Sequence, residues 1–116
     1  MKHIAQLSID IKGRPWHFKL FSDRNFDKMH NDEEMSTGAI TIPSKYEVHF
    51  SKSTWDLNFI RHEIFHIFYA MSEVASSDLT PDQVEETMCS IGGAYLQDIA
   101  LISDRVAECF FNHNKV

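Results

Sequence analysis

Three side chains in one run, His62, Glu63 and His66, have the types and the spacing for metal-assisted hydrolysis. They belong to His62-Glu63-Ile64-Phe65-His66, an H-E-x-x-H pattern inside the apolar stretch Leu57 to Met71. On a helix, histidines four apart share one face about a turn apart, so both imidazoles can reach a single ion. Imidazole suits zinc, and a glutamate next to the first histidine can take a proton from a water whose pKa zinc lowers toward about 7. The spacing predicts a zinc site with His62 and His66 as ligands and Glu63 as general base.

Zinc needs a third protein ligand, and chemistry needs a further position open to water. His66 is followed by Ile67, Phe68, Tyr69, Ala70, Met71 and Ser72, so the glycine and third histidine of longer zinc motifs are absent. Downstream, Glu85 and Glu86 are adjacent acids in sequence with helical character. Positions three, four, seven and eleven beyond a residue share its helical face. From Glu85 these are Met88, Cys89, Gly92 and Leu96, an apolar stripe; from Glu86 they are Cys89, Ser90, Gly93 and Gln97, mostly small or polar. A carboxylate on a buried stripe must be paired or bound to metal, which favours Glu85 as the third ligand, with Glu86 as runner-up. Gly92-Gly93 inside the same helix predicts a close approach of the histidine-bearing helix, since each glycine otherwise costs about 1 kcal/mol. Tyr69, seven residues after His62, and Tyr95, ten after Glu85, are candidates for stabilising an oxyanion, although aromatics at such spacing are commonly core. His49 and His113 read as core or surface histidines rather than ligands.

These groups need a scaffold. Ile4–Ile11 and Trp16–Leu20 alternate apolar and polar residues on either side of Lys12-Gly-Arg-Pro15, which predicts a β-hairpin. Ser22 to Thr37 is polar and reads as a loop or ragged helix. Gly38–Ile42 and Tyr46–Phe50 are two more short strands, the first closed by Pro43. Ser53-Thr-Trp-Asp56 resembles a capping box opening the metal helix over about 54–72. Thr80-Pro81-Asp82 starts a second long helix through about Ser103, whose tail either continues it or forms a short third helix. The expected fold is α+β: a small antiparallel or mixed sheet of about four short N-terminal strands packed on two long helices, one domain spanning residues 1–116.

With 43% hydrophobic and 24% charged residues, the composition is that of a globular domain. Its net charge of −6 disfavours broad capture of nucleic acid or anionic membrane. The N-terminal alternation has no apolar core like that of a signal peptide or membrane span, so a cytoplasmic location is expected. Cys89 and Cys109 lack any CxxC spacing and read as reduced, buried small residues. The phenylalanines at 59, 65, 68, 110 and 111 read as core or groove wall.

The strand pair, the HEIFH helix and the helix bearing Glu85-Glu86 together resemble the zincin metallopeptidases over about residues 36–100. The likeness is to minimal gluzincin-type domains such as the SprT-like and phage-encoded ones. That resemblance implies a zincin-like fold, zinc held by His62, His66 and a glutamate, and Glu63 as base. It also implies a protein or peptide substrate lying extended along an edge strand, here Gly38–Ile42 or Tyr46–Phe50. The chain departs from larger gluzincins in having Cys89 and Ser90 four residues after the two acids, where an acid orients a ligand histidine; Asp56 and Asp98 are substitutes. The expected activity is a zinc metallopeptidase, the alternative a zincin-fold binding or assembly protein whose zinc is structural or whose catalysis is lost.

Overall fold

The computed structural model describes residues 2–30, 38–72 and 79–114. Strand β1 (Ala5–Ile11) and strand β2 (Arg14–Phe21) form the expected antiparallel hairpin. Lys12 (φ 52°) and Gly13 (φ 83°) connect them; positive φ at both central residues is the two-residue turn whose twist matches that of the strands. Helix α1 (Asp23–His30) follows, with the Ser22 hydroxyl accepting from the Asn25 amide at its start. Its eight residues correct the looser reading of 22–30 as loop or ragged helix; the rest of that segment lies outside the described residues. Strand β3 (Ala39–Ile42) leads through a 3-10 turn at Pro43–Lys45 into strand β4 (Glu47–Ser51).

The sheet order is β1-β2-β4-β3, with β2 and β4 parallel and the other pairs antiparallel. Trp16, Phe18 and Leu20 of β2 and Val48 and Phe50 of β4 project from one face into the main core. The alternate side chains, His17 and Lys19 on β2 and Glu47, His49 and Ser51 on β4, project from the other. Helix α1 lies on that second face, where His30 packs against His49.

Two helices cover the main face. Helix α2 (Leu57–Ala70) buries Ile60, Glu63, Ile64, Ile67 and Phe68. Its N-cap is Asp56, whose carboxylate accepts from the Phe59 amide at 2.8 Å. The cap is therefore the acid of the Ser53–Asp56 run and not its serine, and the Ser53 amide donates to Asp23 instead. Helix α3 (Pro81–Asn114) runs unbroken past Ser103, about 50 Å at 1.5 Å per residue. Thr80 opens it as expected. Gln83, which the sequence reading passed over, completes a reciprocal cap: the Thr80 amide donates to Gln83 Oε1 at 2.9 Å and the Gln83 amide donates to Thr80 Oγ1 at 3.2 Å. Helix α3 buries Ile91, Ile99, Ser103, Val106 and Phe110, the last in edge contact with Phe50 and Trp55. The architecture is thus α+β with a mixed four-stranded sheet. Among the described residues no helix is long and apolar enough to cross a membrane.

Candidate metal centre

Helix α2 splits its side chains between two surroundings. Ile60, Ile64, Ile67 and Phe68 are buried in the common core. Asn58, Arg61, His62, Phe65, His66 and Tyr69 face an open cavity of about 710 Å3, bounded on its far side by Val84, Met88, Leu96, Ile99 and Ala100 of α3. Glu63 lies on the buried side, 6% exposed.

The two histidines converge as the four-residue spacing demands. Their Nε2 atoms are 3.1 Å apart and their rings meet edge to face. Two imidazoles on one tetrahedral zinc, each bonded at about 2.0–2.1 Å, put their nitrogens about 3.3 Å apart, so the observed separation fits a shared ion. Glu63 Oε2 is 3.8 Å from His62 Nε2. Its other oxygen, Oε1, accepts from the hydroxyl of Thr41 on β3 at 3.1 Å, and the same hydroxyl is 3.2 Å from the Glu63 carbonyl oxygen. Among the described residues, His62, Glu63 and His66 are the group of metal-binding type whose donor atoms lie together, all within 4.8 Å.

Glu85 and Glu86 are outside that group. Both are exposed, and neither lines the cavity. The stripe expected to bury Glu85 is largely solvent-facing: Met88, Cys89 and Leu96 are exposed and Gly92 half-buried. The physical reason is helical phase. The buried face of α3 runs through Ile91 and Ile99, and at 100° per residue Glu85 and Glu86 stand about 120° and 140° from Ile91. Val84 and Met88 reach the cavity in their place. Nor does α2 crowd the glycines, since a Cβ at Gly92 or Gly93 would meet nothing within 4 Å. The two helices do pack together, as where Phe68 stacks on Tyr95, but not through these glycines.

The remaining assignments divide. Tyr69 does line the cavity with both histidines. Tyr95 stacks on Phe68, ring centroids 4.7 Å apart, and its hydroxyl and ring contact the Lys12 ammonium, so it lies apart from the histidine pair. Asp56 is committed to its helix cap, and Asp98 lines a separate hollow with Lys12 and Arg105. His49 is buried between His30 Nε2 at 3.0 Å and Glu47 Oε1 at 2.7 Å. Burial holds its pKa below the usual histidine value against the opposing pull of Glu47. Burial would raise the Glu47 carboxyl, but hydrogen bonds from His49 and Lys19 outweigh it and hold the group low. His113 sits 2.8 Å from the Cys109 carbonyl oxygen at the end of α3. Both cysteines are free, and Cys89 is exposed rather than buried; Phe111 is exposed as well.

The two strands proposed for peptide binding are now distinguished. β4 is interior, and β3 is the sheet edge. The Ser51 amide donates to the Gly38 carbonyl, and with the register Ile40↔His49 and Ile42↔Glu47 the inward-bonding residues of β3 alternate. The amides and carbonyls of Ala39 and Thr41 consequently point outward. Thr41 is the residue that sequence reasoning missed, because a threonine in a short strand carries no local sign of a glutamate 22 positions away. Compared with family models, with curated proteins and with solved structures, the chain has no match.

Proposed function

We propose that this chain is a zinc-dependent peptidase, with His62 and His66 as metal ligands and Glu63 as general base. The observation that carries the reading is the convergence of the two Nε2 atoms, 3.1 Å apart, beside a buried carboxylate whose free oxygen is turned toward His62. A bound zinc ion would polarise the scissile carbonyl and acidify water. Glu63 would accept one proton from the attacking water as the C–O bond forms and return it to the leaving nitrogen as the C–N bond breaks. The outward amides and carbonyls of Ala39 and Thr41 suit an extended peptide that adds to the β3 edge. The apolar lining of the neighbouring cavity suits a nonpolar side chain of that peptide. Tyr69, which lines the same cavity as the histidines, is the better placed of the two tyrosines for an oxyanion.

A second reading is favoured by one specific feature, the exposure of Glu85 and Glu86 away from the histidines. Without a third protein ligand the domain would act as a binding or assembly module, its catalysis lost. Glu85 serves as ligand only if the first turns of α3 rotate toward α2.

Zinc content and chelator-sensitive cleavage of a peptide library, measured for the wild type, His62→Ala and Glu63→Gln, separate the readings. Peptidase function predicts one zinc per chain, its loss in His62→Ala, and retained zinc with a rate at least about a hundredfold lower in Glu63→Gln. Zinc binding without cleavage favours the binding module. Protein that takes up no zinc refutes the peptidase reading and any binding module built on structural zinc.

A further inference from the structure

The geometry points to Thr41 as a positioning residue for the proposed base: its hydroxyl aims the Glu63 carboxylate, and its backbone belongs to the strand edge that would take the substrate. The inference rests on the reading of Glu63 as general base and goes beyond it by naming what orients that base. Glu63 is the one charged residue among the five that α2 buries. An ionised carboxylate so enclosed needs a donor, and among the described residues the donor is the Thr41 hydroxyl, 3.1 Å from Oε1. Engaging Oε1 leaves Oε2 on the side of His62. Threonine is suited to the task, because its branched Cβ restricts χ1 in a strand and fixes the direction of the hydroxyl.

The same residue faces two ways. Thr41 pairs with Val48, so its side chain shares the face that α2 covers. Its amide and carbonyl turn to the outer side of β3, the edge of the sheet among the described residues. A peptide that hydrogen-bonds to Thr41 therefore bonds to the residue that holds the base, and substrate docking and base alignment are joined within one amino acid.

The test compares Thr41→Val, which keeps the shape and removes the donor, with Thr41→Ser, which keeps the donor. Losing one hydrogen bond to a charged group should lower kcat roughly 10- to 100-fold in Thr41→Val. KM should change little, since the outer backbone groups remain, and Thr41→Ser should recover most of kcat. A merely structural role would not give this split or this rescue. A thermal double-mutant cycle of Thr41→Val with Glu63→Ala adds a readout that needs no activity: the two effects on Tm should be less than additive. If Thr41→Val fails to fold, Thr41→Ala takes its place in both measurements. A cleaving wild type whose Thr41→Val variant keeps kcat within threefold, or a cycle that is strictly additive, overturns the Thr41 assignment alone. A wild type that shows no chelator-sensitive cleavage overturns the peptidase reading and this role with it, and is recognised by the wild-type assay itself.

Discussion

Replacing Gly38 by alanine should be among the more damaging single-methyl changes in this molecule. Gly38 precedes β3 with φ +103°, and a Cβ there would lie 2.0 Å from Thr54 Oγ1 and 2.9 Å from Thr54 Cβ. Two costs add. Holding a non-glycine residue at positive φ costs about 1–2 kcal/mol. Forcing a methyl against Thr54 adds about 1 kcal/mol, the low end for overpacking, because Thr54 is exposed and can rotate its hydroxyl away though not its Cβ. For 116 residues, an unfolding entropy near 2.1 cal/mol/K per residue converts a total of about 2–3 kcal/mol into a fall in Tm of about 8–12 °C. Thermal unfolding followed by circular dichroism measures it. Pairing the change with Thr54→Gly should return the packing share but not the backbone share. A Gly38→Ala variant that melts within about 2 °C of wild type would refute the reasoning, showing that neither the positive φ nor the contact with Thr54 is required.

Two further outcomes follow from other parts of the molecule. Burial makes folded His49 a weaker base than its unfolded counterpart, whose pKa is near 6.5; the unfolded chain then binds more protons, so stability should decline as pH falls below about 6.5. Tm measured between pH 7.5 and 5 should show this slope and show it flattened in His49→Gln, whereas an unchanged slope would remove His49 from the account. Gly92→Ala and Gly93→Ala should each stabilise the protein by about 0.5–1 kcal/mol, a rise in Tm of about 2–4 °C, because the added methyl meets open space in a helix interior; destabilisation by either would restore a close contact there.

What the sequence discloses and what it hides divide along contact range. The hairpin of β1 and β2 is readable from alternation on either side of Lys12-Gly13, and the histidine pair from a spacing of four, because both depend on the period of a single element. Thr80 as helix cap is readable for the same reason. The phase of α3 is not, since it is decided by which residues meet the sheet; starting from Ile91 and Ile99 in place of the acid itself would have pointed to Val84 and Met88. Asp56 and not Ser53 caps α2 because the helix begins at Leu57, while the Ser53 amide is held by Asp23 from α1, a partner 30 positions away. The contact of Thr41 with Glu63 and the edge position of β3 both depend on strand order, and β4 inserts between β2 and β3 only once the parallel pairing exists.

That parallel pairing also governs how the molecule assembles. β1 with β2 and β3 with β4 are each local hairpins, and hairpins of this kind form in about 1–10 μs. The seam between β2 and β4 joins residues such as His17 and Glu47, about 30 positions apart, and must enclose α1 and β3 before its first bond is made. Closing so long a loop is opposed by chain entropy that the pairing itself only later offsets. The seam is accordingly the longest-range of the three strand pairings, while β3 touches both β4 and, through Thr41, helix α2. The contact of Thr41 with Glu63 spans only 22 positions, a shorter closure than the seam, so β3, β4 and α2 can hold the oriented carboxylate as one unit before β2 joins them.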